Sequence, residues 1–568
     1  MRLRETAGLL LVFAAGCYQP SCNINWDECD NDYDCSESSI CTYNDFWDAL
    51  GCENRRLCSE GCFEGETCVT RPGVSAQNPF ESSKPGKQVC ECTNDWGCDN
   101  NSGSAGYAGV GGNTGGGGSG GNTGGMGGTP GCFEDVSASV TSTVGLGGIG
   151  NESAVHFLPN ASAFALDFEG SLTSPNPEAT SLGNSDVLVV QRLSNGTYGW
   201  HRSIGNESDN VLTALNSVPG YVTVATSFKG TIDAGNGPTD AGIGSAGLVA
   251  LLNESTGTTE WSHVIRTDGD IRIAGVAAGE FNTVIVVGTF SGTLEVGGAQ
   301  MGAADEMDAF IVAIDKDTHM AKWGHWIGGP ADQDPAAVAA DIYGNVYIGG
   351  SFDAELHLNG TKNADSWGKD AFVMRFDTNG AFSWVYTITG PDSQEVNSLT
   401  TASNNGVWAA ITLSKSGADG YSDFGMGQTV KTIGLSDGVL LQLSITGELS
   451  AAMQVPGAEG IGAVRFTAIA EECADNVVAA GAFSTALAPE FGDHVSKGGE
   501  DFFVARFNVW NSAAWVYSAG GTGDDTLESL AINSEGQILA GGRFEGEIPN
   551  SNLTSNGALD AFVLEVSP

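Results

Sequence analysis

An all-β fold, dominated by a seven-bladed β-propeller with terminal strand closure, is predicted from three features of this 568-residue chain. A pattern recurs from residue 132 onward at a spacing of about 61 residues, the kind of internal repetition that marks a solenoid, a propeller or an array. Each copy reads as four short strands, and no stretch holds a helical period. The last copy stops after its third strand, while a lone strand-like stretch precedes the first copy and can complete it. Ahead of this domain (132–568) the sequence predicts a leader (1–16), a disulfide-rich module (17–100) and a Gly-rich linker (101–131).

The leader opens with Arg2 and Arg4, followed by a short apolar stretch from Leu9 to Ala15. That stretch is too short to span a bilayer, so it reads as an export signal. Val12-Phe13-Ala14-Ala15-Gly16-Cys17 resembles the lipobox of bacterial lipoproteins, departing from it at Ala14, where that family more often has Leu. The resemblance implies cleavage before Cys17 and acylation of Cys17. Each buried acyl CH₂ contributes about 0.8 kcal/mol, so several chains form a lasting anchor. The expectation is an exported protein anchored to the outer membrane and displayed on the cell surface.

Twelve of the fourteen Cys lie before residue 100. Beyond Cys17 they are Cys22, Cys29, Cys35, Cys41, Cys52, Cys58, Cys62, Cys68, Cys90, Cys92 and Cys98. Such density fits disulfides formed in an oxidising compartment, in a module with too few apolar residues for a core of its own. Their pairing is not deducible from the sequence. Paired CxxC spacings of the zinc type are absent, and Asp30, Asp32 and Asp34 lack the Gly and terminal Glu of an EF-hand loop. With Cys17 acylated, thirteen thiols remain and one is left over; Cys473, alone within the repeats, is the first candidate.

From Gly103 to Gly131 there is no charged residue and Gly dominates. This segment cannot bury enough surface to fold. As a coil it spans about 30 Å, and fully extended about 100 Å. It reads as a tether.

Three marks recur in the large domain. An Asp opens an apolar run at Asp186, Asp308, Asp370, Asp437, Asp501 and Asp560, with Ala246 in the remaining copy. A Trp follows fourteen or fifteen residues later, at Trp200, Trp261, Trp323, Trp384 and Trp515; the Asp437 copy has Ala451 or Ala452 instead. An aromatic closes the second strand at Phe168, Phe228, Phe290, Phe352, Phe483 and Phe544, replaced once by Leu413. In the clearest copy the strands are Ala336–Asp341, Val346–Phe352, Asp370–Phe376 and Phe382–Tyr386, joined by turns at Tyr343-Gly344-Asn345 and Asp377-Thr378-Asn379-Gly380. Four antiparallel strands per repeat make a propeller blade. The small residues of the first strand suit a crowded axis, and the Trp suits the wider rim. Residues 134–145 are expected to pair with Asp560–Val566, removing an open sheet edge.

These repeats resemble the bacterial β-propeller repeat family of the SBBP type, with its D-A-F-V strand, its Trp strand, its GG segment and its D-x-x-G-N-V-Y turn. The match runs over about residues 134–568 and is closest at Asp341-Ile342-Tyr343-Gly344-Asn345-Val346-Tyr347. The resemblance implies a propeller at the cell surface and no particular activity.

With 23 basic and 69 acidic residues the net charge is -46, which repels phosphate backbones and excludes nucleic acid as a partner class. HExxH and Walker motifs are absent, as is the S-x-D-x-G-x-x-W turn of sialidase-type propellers, and the two GxSxG matches, at 117–121 and 434–438, are not followed by the helical period of a nucleophile elbow. His201, His263 and His325 follow the repeat Trp, so they belong on the outermost strands of different blades. The Asp marks are expected to accept backbone N–H groups and order the turn. A second acidic set, Asp209, Asp270, Asp334, Glu395 and Asp525, precedes the first strands. Both sets fall on one face, where a carboxylate ring holding Ca²⁺ is the sole cofactor alternative to none. The sequence thus reads as a monomeric, non-enzymatic surface binding or adhesion protein, with no catalytic residue and an unidentified protein or glycan ligand. The alternatives are a carbohydrate hydrolase or lyase, for which Ser414–Ser436 and Thr485–Glu500 are the irregular stretches to inspect, or an envelope scaffold.

Overall fold

The computed structural model describes residues 139–567, apart from a few short gaps, and four short strands between 39 and 92. These belong to two separate units of the chain. In the earlier unit Ser39–Asn44 pairs antiparallel with Ala49–Asn54, and Glu66–Thr70 with Gln88–Cys92. The backbone register sets Cys41 opposite Cys52 and Cys68 opposite Cys90. Cys17, Cys22, Cys29, Cys35, Cys58, Cys62 and Cys98, and the 101–131 linker, lie outside the described residues.

Among the described residues the later unit is all-β but for one turn of 3₁₀ helix, Pro489–Phe491. Its strands form repeated antiparallel sets of four, at 152–204, 211–267, 271–328, 333–388, 393–456, 463–519 and 526–567. These are called units 1 to 7. Within each, the four strands pair in chain order; unit 4 runs Gln333–Ala340, Val346–Phe352, Asp370–Phe376, Phe382–Ile388. Unit 7 supplies only three of its own. Its fourth is Ser139–Gly148, paired antiparallel with Asp560–Ser567 from Leu146 opposite Ala561 to Ser139 opposite Ser567. An Arg192–Glu565 ion pair also ties unit 1 to unit 7.

Alternation along each strand leaves both faces of every unit apolar, so burial happens between units. The apolar clusters bear this out. One cluster lies between each consecutive pair of units, and another joins unit 7 to unit 1 through Val155, Leu166, Leu539 and Val563. The repeat aromatics Phe168, Phe228, Phe290, Phe352, Phe483 and Phe544, together with Leu413, are buried within them.

The repeat Trp fastens one unit to the next. The indole N–H donates to the carbonyl of Glu254 from Trp200, of Thr378 from Trp323 and of Ile445 from Trp384, at 2.9, 3.3 and 2.9 Å. Each acceptor lies in the third-to-fourth turn of the following unit. Those turns carry Gly257, Gly380 and Gly447 at φ +68, +81 and +83. A Cβ there would also sit 2.4–2.7 Å from the indole, so glycine is required twice over. Trp515 packs instead with Val140 and Val566, where the chain ends replace that turn.

Candidate functional site

The first strands of all seven units line one cavity of about 340 Å³. Every one of these strands breaks register against its neighbour, the one in unit 6 twice. A β-bulge re-aims one side chain and bends the strand. The extra residues in units 2 to 7 are Thr213, Ala274, Ala336, Asn397, Thr467 and Glu528, and all six line the cavity. Units 3 and 4 thus contribute a small apolar arc, while units 5, 6, 7 and 2 contribute hydroxyl, amide and carboxylate groups. Unit 1 adds His156, whose imidazole burial pushes down to about 4, so it faces the cavity uncharged at neutral pH. Glu528 pairs with Arg543 at 3.2 Å. Behind this wall, burial pushes the Asp167 carboxyl up to about 8, and nearby Glu528 adds to the rise; its Oδ1 accepts the Leu212 N–H. The arrangement suits hydrogen bonding to a polar, uncharged group. The second carboxylate on the lining, Glu471, accepts the Ser403 N–H at 2.8 Å.

The six Asp marks lie elsewhere, on the third strands, at or near the start for Asp370, Asp437 and Asp560 and midway along longer strands for Asp186, Asp308 and Asp501, and all are buried. Asp186 accepts the N–H of Leu182 at 2.7 Å, Asp370 that of Trp367 at 2.9 Å, and Asp501 that of Lys497 at 3.2 Å. Asp437 accepts from Ile433, Gly434 and Gly457, and Asp560 from Asn556 and Gly557. Asp308 accepts instead from the Trp326 indole, at 2.6 Å. Five of the six marks therefore clamp backbone N–H groups three or four residues ahead of themselves. Burial raises the carboxyls of Asp186, Asp437 and Asp501, and lifts Asp370 to about 6.

The second acidic set is spread differently. Asp270 pairs with Lys229 at 3.4 Å, Glu395 with Lys369 at 3.1 Å, and Asp334 with Arg272. Asp525 is buried, accepts the Gly521 and Glu545 N–H groups, and is raised to about 6 by burial. Asp209 lies outside the described residues. Members of the two sets meet where Asp501 adds to the rise of Asp525, and among the described residues no three of His, Cys, Asp and Glu gather as a metal-binding group. His201, His263 and His325 sit on the fourth strands of units 1, 2 and 3. His325 stacks on Phe376 at 5.0 Å and meets the Gly380 carbonyl at 2.6 Å, a packing role.

A second cavity, of about 280 Å³, lies in unit 5 under the 414–436 insertion, lined by Phe424, Val430, Val439, Leu449 and Met453. Sequence reading found this insertion but missed the bulge residues, because a bulge interrupts the period of two that identifies a strand.

No family model matches the sequence, and no curated protein matches it. Among solved structures, the Dos1 propeller is similar at a TM-score of 0.35 and 10% identity, over 75% of this chain and 95% of that one. BamB from Moraxella catarrhalis is similar at 0.31 and 12%, over 75% and 99%. The quinohemoprotein alcohol dehydrogenase from Comamonas testosteroni is similar at 0.33 and 9%, over 75% and 76%. Likeness at this distance transfers no activity.

Proposed function

We propose that the chain is an exported, lipid-anchored, non-enzymatic surface binding protein, held by acylated Cys17 and a stapled module, and displaying a seven-bladed β-propeller on a flexible tether. The single observation that carries the binding reading is the fate of the repeat carboxylates, which are occupied by backbone N–H groups and ion pairs rather than gathered at one point. Support for seven blades comes from the chain of inter-unit apolar clusters that returns to its start, and from the 139–148 strand completing unit 7. Support for display comes from the leader, Cys17 and the uncharged Gly-rich segment.

The test is capture from intact cells on the immobilised exported chain, alongside assays against a panel of glycans and glycosides. Retention of a defined envelope protein or glycan without turnover is expected. Turnover of a glycoside with nothing retained would replace this reading with that of a hydrolase or lyase. Loss of fatty-acid labelling in Cys17→Ser tests the anchor separately.

A further inference from the structure

The connections from second to third strand and from fourth to first strand share one face of the 139–567 unit. On this face five units expose an apolar side chain ahead of the repeat Asp or its counterpart: Ile243, Trp367 and Leu435 in the second-to-third connection, and Leu182 and Val495 at the near end of the third strand. The exposure is extreme, at 98% for Ile243 and 76% for Trp367. Scattered exposed apolar residues are ordinary, but these five recur in one short segment, two to six residues ahead of the repeat Asp or its Ala246 counterpart. The Asp marks explain how they are held. Asp186 and Asp370 bind the very N–H groups of Leu182 and Trp367, and Asp437 and Asp501 bind residues on the same connections as Leu435 and Val495. Buried carboxylates therefore brace the loops whose side chains point to solvent, in the manner of a rigid paratope whose ordering cost is met in advance.

The charge on this face is mainly negative. Glu207, Asp268, Asp332, Glu545 and Glu547 are exposed on the same connections. Of the Lys and Arg groups there, Lys229, Arg272, Lys369 and Arg465 are ion-paired to carboxylates, and Lys431 and Lys497 are exposed beside Leu435 and Val495. Ser139 and Ser567 pair at the opposite ends of their strands from this face.

We propose that this face docks a cationic, amphipathic protein surface, with apolar side chains of the partner seated between Leu182, Ile243 and Trp367 and its Lys or Arg groups meeting the interleaved carboxylates. The inference rests on the binding reading above and names the partner's chemistry. An anionic lipid surface is disfavoured by the same charge.

The experiment uses the full exported protein and three immobilised peptides: alternating Leu and Lys, alternating Leu and Glu, and alternating Ser and Lys. The Leu/Lys peptide is expected to bind, weakening with salt, and the double variant Ile243→Ser, Trp367→Ser should weaken it tenfold or more. Ile342→Ser, an equally exposed apolar residue in a first-to-second turn on the other side, should leave it unchanged. Equal binding by all variants, equal binding of the Leu/Glu or Ser/Lys peptide, or recruitment to phosphatidylglycerol vesicles in preference to the Leu/Lys peptide would each overturn the proposal. A cellular partner still captured by the double variant would leave the binding function standing and remove this face from it.

Discussion

Units 4 and 5 are neighbours built on one pattern, and they solve the same packing problem differently. In unit 4 the fourth strand carries Trp384, which sits opposite Arg375 and reaches the turn of unit 5. In unit 5 the matching position, opposite Gln442, is Ala451. The bulk has moved two strands inward along the same row, to Trp408, which faces Gln442 from the other side and is 1% exposed. Trp408 packs with Met453, Phe466 and Phe507 at the boundary with unit 6. The comparison teaches that the boundary needs an indole's volume in that row, while the strand that supplies it is free to change.

The comparison is open to direct test. Trp408→Ala has no second Trp in its row to limit the loss, and should cost about 3–5 kcal/mol. Trp384→Ala, with Tyr347 6.1 Å away in its row, should cost clearly less. Urea denaturation of both variants checks this, and equal losses would break the argument. The clamps differ too. Asp437 accepts three backbone N–H groups and the Gln454 amide. Asp437→Ala should cost about 2–3 kcal/mol, since it strands several buried donors, and more than Asp370→Ala.

A smaller effect concerns pH. Burial raises Asp370 and Asp525 to about 6, Glu152 to about 7 and Asp167 to about 8. An acid whose folded value lies above its unfolded one holds its proton more tightly when folded. Its penalty is absent below the unfolded value near 4 and complete above the folded value. Tm should therefore fall as pH rises from about 5 to about 8, and Asp167→Asn should flatten the upper part of that slope. A Tm that rises across this range would contradict the burial. Smallest of all, Ala452→Leu should fill part of the unit 5 cavity and gain about 0.5–1 kcal/mol, whereas Val385→Leu at the matching place in unit 4 should gain nothing.

Much of this was legible in the sequence. The Asp, Trp and Phe marks located the third, fourth and second strands, because each mark answers a local demand: a loop to clamp, a turn to cover, a boundary to fill. The pairing of residues near Val140 with those near Phe562 followed from counting strands. The cavity wall did not follow, since Thr213, Asn397 and Glu528 owe their aim to bulges that appear only once two strands pair. Nor did the outward set of Leu182 and Trp367, which depends on which N–H group each Asp selects. The choice between Ala451 and Ala452 needed the register itself.

The strand from Ser139 to Gly148 also sets how the unit bears load. Its hydrogen bonds to Asp560–Ser567 run across the strand direction. A pull through Ser139 against a partner held on the far face would act along the strand, so all its rungs resist at once. A pull that separated Ser139 from Ser567 would instead open them one by one, and the same latch would yield at far lower force.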